Sequence, residues 1–589
     1  MSRTAPLCEQ RRVAIVAFGF ASDRLTRQPW WSVDLLAHRL RAEGRQVLVL
    51  TDAPDPPRAR AYEVMGGVAL PRRGGFDEMV VEMFGALAPE RLYVLGGLTE
   101  LARLRRCRLG VPVTYLLASP RLWLRELGIP PPWAWQSEGR CLLQALAGAL
   151  IPAAWLRWRL RAAGIDQLYY LSPETRFRLW WRGLPWGELL HPALDRPRPL
   201  RAGSAGEPVI TYLGPPLYAR GADLAVSIFE RASSLGLRGR LRLLLRPDDP
   251  AALRRFLGRI ERSPVRRNIS VTTHHLTRRE REAALAASDV ILLPFRFPVS
   301  EAPLVLFEAA RSGRPLLALD RVGIGAYVRL LGGETAPDPN ALARLLVERA
   351  QEPSAAPRPV ADPHRELETP LPALRWIALA GPDGVGKTTL LTRLEAQLQA
   401  RGAATRRRWS RYRHYVSKPL LGLLRLLGYS RLVEISGVRL RLRRVHRPAV
   451  LAWTFLALQV LDLLIEMRLR YRAPGRLVLL DRCVLDTLVD LAVDSGRHRW
   501  VVERLGPWLL RRLPRSGRLV VVERREERVL GTRPDVRADP DRALRRALYR
   551  EMAARYGLSV LANDGTIETA LARLWELLGD GHDLRVLQQ

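Results

Sequence analysis

The stretch WIALAGPDGVGKTTLLTRLEAQLQA, residues 376–400, comes in three pieces. WIALA is a short apolar run, the pattern of a strand buried on both faces. GPDGVGKTT follows, with Gly381, Gly386, Lys387 and Thr388 in the spacing G-x-x-x-x-G-K-[ST]. TLLTRLEAQLQA then repeats its apolar residues with helical period. Strand, glycine loop and helix are the context in which this spacing cradles phosphate. Glycines let backbone amides turn inward around phosphate oxygens, and the helix N-terminus adds positive potential. Gly381, Asp383, Gly384, Gly386, Lys387, Thr388 and Thr389 are the expected ATP phosphate-binding set. Lys387 is expected to bridge the β- and γ-phosphates, and the Thr388 hydroxyl to ligate Mg²⁺.

Lys387 is out of character with the rest of the chain. Of 94 basic residues among 589, only Lys387 and Lys418 are lysine. A position that keeps lysine against that drift needs a compact ammonium, because a guanidinium is too broad to sit between two phosphates. The same imbalance bears on the formal net charge of +35. Such a charge suggests anionic partners. The arginines, however, are spread along the full length, as a chain-wide composition drift would place them, and no specific nucleic-acid partner is expected. Cys8, Cys107, Cys141 and Cys483 are far apart with no CxxC spacing, which argues against a disulfide framework or zinc site. The N-terminal MSRTAPLCEQRR has no apolar signal core. A cytoplasmic protein is expected.

About a hundred residues beyond the loop, Leu477–Leu480 reads as another strand, closed by Asp481 and Arg482. A carboxylate at a strand end near such a loop is suited to hold Mg²⁺ or to position an acceptor. Residues 375–390 resemble the opening of thymidylate kinases, which begin with a strand and a GxDGxGKTT loop. VLLDRCVLDTLVDLAVD (478–494) resembles their Asp-Arg-Tyr segment and the helix after it, and YGLSVLANDGTIETALARLWELL (556–578) their last strand and helix. The resemblance implies a P-loop NTPase domain of nucleoside monophosphate kinase type over 375–589. It implies ATP-dependent phosphoryl transfer to a nucleoside monophosphate, with Lys387, Asp481 and Arg482 catalytic and with Thr388 and Asp481 on the metal. The acceptor stays open. LALQVLDLLIE (456–466) has no arginine where these kinases meet the acceptor phosphate, and Cys483 replaces their tyrosine. RRRWSRYRHY (406–415) offers charge and aromatic surface but no carboxylate, so Arg406–Arg413 is a candidate for a phosphate or nucleobase.

Ahead of this domain lies QEPSAAPRPVADPHRELETPLPAL (351–374), proline-rich and without period, which reads as a linker. The N-terminal part alternates strand and helix. Val13–Phe18, Gln46–Leu50, Arg91–Leu95 and Val113–Leu117 are expected strands, and 31–43 an expected helix. After the polar RPRPLRAGSAGEP (196–208) the alternation restarts, with strands at Val209–Leu213, Leu241–Leu245, Val290–Leu293 and Leu316–Leu319 and helices at Gly221–Ser233 and Leu304–Ser312. This is the pattern of doubly wound parallel sheets. ITYLGPPLYARGADLAVSIFERA (210–232) and ASDVILLPFRFPVSEAPLVLFEAARSGRPLLALD (287–320) resemble retaining GT-B glycosyltransferases. That resemblance implies two Rossmann-like GT-B halves, 1–200 on the acceptor side and 201–350 for a nucleotide-sugar donor. By position, Gly214 and Arg220 would meet the donor diphosphate, and Glu301 and Glu308 the sugar nucleotide. Glu301 and Glu308 are seven apart where the family has eight, Ser300 holding the expected place. No catalytic residue carries over to the first half, where ASPRLW follows its strand.

Two segments approach membrane length. LLQALAGALIPAAWL (142–156) is too short to span and contains Pro152, and AVLAWTFLALQVLDLLI (449–465) includes Gln459 and Asp462. The second reads as a core helix, the first as a core helix or an interfacial one. The Arg- and Trp-rich segment 155–183 suggests peripheral contact with an anionic membrane. The sequence is thus read as an α/β transferase fusing a glycosyltransferase-like part to an ATP-dependent kinase-like part. The alternative is that one half is catalytic and the other a nucleotide-binding regulatory or scaffold module.

Overall fold

The computed structural model describes residues 12–579 apart from 59, 71–88, 105, 107–109, 123, 193–205, 247–248, 299, 352–370, 372–373, 411–414, 427–429, 436–437, 444–448 and 533–538. Most of the expected linker, along with Cys8 and Cys107, lies outside the described residues. The chain divides near residue 370 into two compact units.

The first unit holds two sheets. Strands β1 (Arg12–Ala17), β2 (Gln46–Leu50), β3 (Glu63–Met65), β4 (Arg91–Gly96), β5 (Val113–Leu117), β6 (Ile165–Tyr170) and β7 (Glu188–Leu189) are ordered β3-β2-β1-β4-β5-β6-β7. Every pair is parallel. Successive side chains of a strand point to opposite faces, and both faces here are covered. Val13, Ile15 and Ala17 pack with Val33, Leu36 and Leu40 of α1 (Trp30–Ala42). Ala14 and Val16 belong to a second cluster that also contains Leu156 and Leu160. Burial on both sides is why such strands appear in the sequence as unbroken apolar runs.

The second sheet repeats the plan. Strands β8 (Val209–Gly214), β9 (Arg240–Leu245), β10 (Ile269–Thr272), β11 (Val290–Leu293), β12 (Leu316–Leu319) and β13 (Glu334–Ala336) are ordered β10-β9-β8-β11-β12-β13, again all parallel. In each sheet the winding reverses beside the first strand, between β1 and β4 and between β8 and β11. A doubly wound sheet opens a crevice at that point, outside the carboxyl ends of its strands.

Helices α2 (Pro132–Leu150) and α4 (Pro173–Trp180) join these halves, and α3 (Ala153–Ala162) packs on the first sheet. The inner face of α2 carries Ala134, Leu142 and Ala145, which pack with Tyr218, Ala219 and Phe297 of the second half. In the stretch 173–186, part of which is expected to meet a membrane, the aromatic side chains pack on one another and are half-buried or buried. The rings of Phe177 and Trp181 are 5.3 Å apart and those of Trp180 and Trp186 5.2 Å, with the Arg176 guanidinium 4.3 Å over Trp186. Helices α5 (Ala222–Ser234), α6 (Leu304–Arg311) and α7 (Gly325–Leu330) follow in the second half.

The second unit has one five-stranded parallel sheet and a separate antiparallel pair. Strands β14 (Trp376–Ala380), β15 (Thr405–Trp409), β18 (Leu477–Asp481), β19 (Gly517–Glu523) and β20 (Ser559–Ala562) are ordered β15-β18-β14-β19-β20, and β16 (Ser430–Ile435) pairs with β17 (Val438–Arg443). Its main helices are α8 (Lys387–Ala400), α9 (Ala449–Arg470), α10 (Val484–Ser495) and α11 (Arg542–Arg555). Helix α9 is long and apolar enough to cross a membrane. Three polar side chains on it, however, are buried inside the unit. Asp462 accepts from the amides of Tyr415, Val416 and Ser417 and from the Ser417 hydroxyl. Glu466 accepts from the hydroxyls of Ser410 (2.7 Å) and Tyr415 (2.5 Å), and Gln459 donates to Ser417 Oγ. Removing one partner of a buried hydrogen bond costs about 1–3 kcal/mol per stranded group. Asp462→Ala strands three amides, and we expect it to destabilise this unit by roughly 3 kcal/mol or more. Urea unfolding checks the size of the loss, and proteolysis within 410–417 checks its location.

Candidate functional site

In the second unit, the loop between β14 and α8 runs through three glycines at positive φ: Gly381 (+141°), Gly384 (+85°) and Gly386 (+91°). At Gly381 a Cβ would come within 2.4 Å of the Val522 carbonyl oxygen on β19, so only glycine fits. Lys387 is 5% exposed, and its ammonium donates to the carbonyl oxygens of Gly381 (2.5 Å) and Pro382 (2.6 Å). The cation is thereby folded over the loop that its own backbone forms. Thr388 begins the exposed side of α8, and its hydroxyl donates to Asp481 Oδ2 at 2.8 Å. Asp481 ends β18, the parallel neighbour of β14, and pairs in register with Leu379. Thr389 follows on the same turn, exposed.

Arg482 turns the chain at φ +76°. Its guanidinium pairs with Asp383 in the loop and reaches Gly381 O and Asp486 Oδ1 at 3.4 Å each. The structure therefore brings Lys387, Thr388, Asp383, Asp481 and Arg482 together. Sequence reasoning missed two supporting residues, Asp486 and Asn563, and singled out Arg407 only within the run 406–413. Asp486 has no exposure and accepts from Gly381 N (3.3 Å), Cys483 N (2.8 Å) and Tyr549 Oη (2.8 Å), fixing the start of the loop. Asn563 donates to Val385 O at 2.7 Å. Arg407, on β15, donates to Asp481 Oδ2 at 3.0 Å and to Thr392 Oγ1 at 2.8 Å. The signal for Asp486 is a carboxylate early in an otherwise apolar helix. Of the arginine run 406–413, Arg408 is spent on the carbonyls of Leu469 and Arg470 at the end of α9, and residues 411–413 lie outside the described residues.

Among the described residues no three His, Cys, Asp or Glu side chains cluster as metal ligands. Thr388 Oγ1 and Asp481 Oδ2, 2.8 Å apart, do suit Mg²⁺. Neighbouring ligands of an octahedral ion bound at 2.0–2.1 Å stand about 3 Å apart, and Mg²⁺ takes few protein ligands and keeps water and phosphate oxygens.

In the first unit, a cleft of about 320 Å³ lies at the carboxyl ends of the second sheet. Gly214 and Leu213 line it from β8, Leu245 and Arg246 from the end of β9, His274 and His275 from the loop after β10, and Glu308 from α6. The first half closes it with Arg27, Gln28 and Trp30. Gly214 has φ +153°. Arg220 is half-buried and stacks 5.0 Å over Phe295, and among the described residues no carboxylate pairs with it. Burial lowers its pKa from the ordinary arginine range, and nearby Arg246 adds to the fall while Tyr212 opposes it. Glu308 faces Arg281 at 3.6 Å. Gly214, Arg220 and Glu308 thus meet in one cleft, together with a histidine pair that sequence reasoning passed over, though only nine histidines occur in the chain.

Glu301 departs from expectation. Ser300 lines the cleft, but Glu301 has no exposure and is turned to the junction of the halves, where it accepts from Ser172 Oγ (2.8 Å) and Thr175 Oγ1. Its neighbour Glu174 accepts from Ala326 N on α7, and Tyr327 Oη donates to Leu171 O. In this structure Glu301 bonds across the junction of the halves and does not line the cleft.

No family model matches the sequence, and neither does any curated protein. Among solved structures, the chain is similar to an α,α-trehalose 6-phosphate synthase from Burkholderia multivorans at 14% identity, with 59% of this chain and 92% of that one covered and a TM-score of 0.38. It is similar to Anabaena HepE in complex with UDP and glucose at 11% identity, 58% and 90% coverage and a TM-score of 0.37. The lipopolysaccharide outer core galactosyltransferase WaaB matches at 10% identity with the same coverage and TM-score. So partial a likeness assigns no family, substrate or activity.

Burial pushes the Glu301 carboxyl up to about 8; the bonds from Thr175 and Ser172 pull it back, and Glu174 adds to the rise. The folded protein then holds a proton that the unfolded chain gives up near 4.5. Its contribution to stability is complete below that value and is lost as pH rises to about 8. Glu301→Gln cannot titrate, so we expect the fall in melting temperature between those pH values to be shallower than in the parent.

Proposed function

We propose that the second unit binds ATP with Mg²⁺ at the 381–389 loop and transfers its terminal phosphoryl group to a nucleoside monophosphate or related acceptor. The observation that carries this reading is the meeting of Lys387, Thr388 and Asp481 at one strand-loop-helix turn. In the free loop the Lys387 ammonium rests on two carbonyl oxygens. A triphosphate offers it stronger, anionic acceptors, and the loop amides converge on the same oxygens. Thr388 and Asp481 would hold Mg²⁺, which when bound supplies charge neutralisation at the β- and γ-phosphates. Arg482, braced by Asp383 and Asp486, keeps the strand end and the loop in one geometry. Arg407 adds a cation beside Asp481 where the acceptor's phosphate would approach. Phosphoryl transfer asks the protein for positioning and electrostatics more than for covalent chemistry, and these residues supply both.

The first unit, in the same proposal, takes a nucleotide sugar in its cleft and transfers the glycosyl group. Arg220 supports this, because a half-buried guanidinium without a carboxylate partner is suited to a diphosphate. Glu308 offers an acceptor to ribose hydroxyls.

The test is made on the intact protein. ATP turnover is measured with a panel of nucleoside monophosphates, and nucleotide-sugar hydrolysis and binding are measured separately. Lys387→Ala is expected to abolish ATP turnover and to leave nucleotide-sugar binding unchanged; unaltered turnover would refute the assignment. Arg220→Ala loses a charge-assisted contact of about 1.5–3 kcal/mol, so its Kd for a nucleotide sugar should rise about tenfold or more by calorimetry. ATP binding without turnover on any acceptor would favour the regulatory reading of the second unit.

A further inference from the structure

The exposed apolar side chains of the first unit are concentrated in one stretch of the chain. Seven large apolar side chains are exposed among its described residues, and six of them fall between 124 and 158: Leu124, Ile129, Trp135, Leu143, Leu150 and Trp158, with Leu235 the seventh. Ile129 is 96% exposed, Trp158 60%, and Leu143 and Leu150 58% each. On α2 the exposed positions Gln136, Arg140, Leu143, Ala147 and Leu150 advance by three or four residues and so form one stripe. The opposite face of the helix is already occupied, since Ala134, Leu142 and Ala145 pack on Tyr218 and Phe297. The outer side chains therefore have no place in the unit's own core.

Charge decides what covers this face. From Leu124 to Ile165 the chain has five arginines, Arg125, Arg140, Arg157, Arg159 and Arg161, and two acidic residues, Glu126 and Glu138. Glu126 pairs with Arg178, Arg157 donates to the carbonyl of Arg182 and Arg159 to those of Leu101 and Leu104, while Arg140 and Arg161 are exposed. Glu138 is buried and bonded to the amides of Tyr218 and Ala219. A second copy on a twofold axis would set Arg140 and Arg161 against their equivalents with no exposed carboxylate of this segment to answer them. An anionic headgroup layer answers the exposed Arg140 and Arg161, and the tryptophans suit the boundary between headgroup and acyl chain. Helices α2 and α3 meet at 95° and are packed on protein along one side, so they lie on a surface and do not cross it.

We propose that the outer face of residues 124–158 docks this protein on an anionic lipid bilayer, independently of the reading given for the cleft. The test is co-sedimentation of the full chain with vesicles of phosphatidylcholine alone and with phosphatidylglycerol added. Because the chain is basic throughout, the control must match charge. Leu143→Glu/Leu150→Glu is expected to lower partitioning onto the anionic vesicles at least tenfold, while Leu235→Glu/Leu544→Glu, an equal charge change at exposed leucines elsewhere, keeps it near the parent level. All four sites are on the surface, and unchanged melting temperatures confirm folding. The proposal is overturned if the parent fails to bind anionic vesicles at low salt, or if both variants lose binding equally. It is likewise overturned if binding is lost in Val450→Glu/Leu461→Glu on the outer face of α9 and kept in the 143/150 variant, or if the 143/150 change converts a dimer to a monomer in light scattering.

Discussion

A strand buried on both faces has no side chain left for solvent or ligand. All three main sheets are parallel, and their central strands β1, β8 and β14 are covered above and below by apolar clusters or helices. Parallel order also sends every strand in a sheet out at the same edge. Polar chemistry is therefore confined to the loops at the carboxyl ends, and unpaired backbone amides are concentrated there. Gly214 at the end of β8 and Gly381 directly after β14 occupy similar places in their sheets, and both adopt positive φ so that the backbone can turn without a side chain in the way. Each site is built around that turn.

What surrounds the two turns differs in how charge is balanced. In the second unit the cations are held in reserve by neutral or anionic oxygens: Lys387 by two carbonyls, Arg407 by Asp481, and Arg482 by Asp383. In the cleft of the first unit Arg220 has an aromatic ring and no carboxylate among the described residues. The abundance of arginine makes its presence in any loop uninformative. Its partner, or the lack of one, carries the information. Many arginines far from either site are used as structural caps, as Arg408 is on the last carbonyls of α9 and Arg121 on Gly148 and Ile151.

Much of this was readable in the sequence for the same physical reason. The runs at Gln46–Leu50, Val113–Leu117, Val290–Leu293, Leu316–Leu319 and Trp376–Ala380 delimit β2, β5, β11, β12 and β14 residue for residue, because two-sided burial leaves room for few polar side chains, Gln46 at the start of β2 and the buried Thr114 of β5 being the exceptions. β6 and β10 escape that test: IDQLYY and ISVT carry polar residues where one face is open. The loop residues of the second-unit site are close in sequence and keep their motif. The cleft is assembled from five separate loops, and no local pattern announces His274, Arg27 or Trp30. Ser300 and Glu301 show the limit most sharply. Which of two adjacent side chains faces the cleft depends on how the backbone turns at Ala302, with φ +51°, and no composition or period encodes that.

Helix α2 joins the two halves of the first unit at two points. Near its middle, Glu138 grips the amides of Tyr218 and Ala219 in the loop that leads from Gly214 to Arg220. At its end, the Arg121 guanidinium of the first half takes the carbonyls of Gly148 and Ile151. The halves cannot draw apart along α2 without breaking one of these paired grips, each of them buried. A second set of bonds crosses the halves away from α2, from Ser172 and Thr175 to Glu301, from Ala326 N to Glu174 and from Tyr327 to Leu171 O, so turning the halves about α2 would break these in their place.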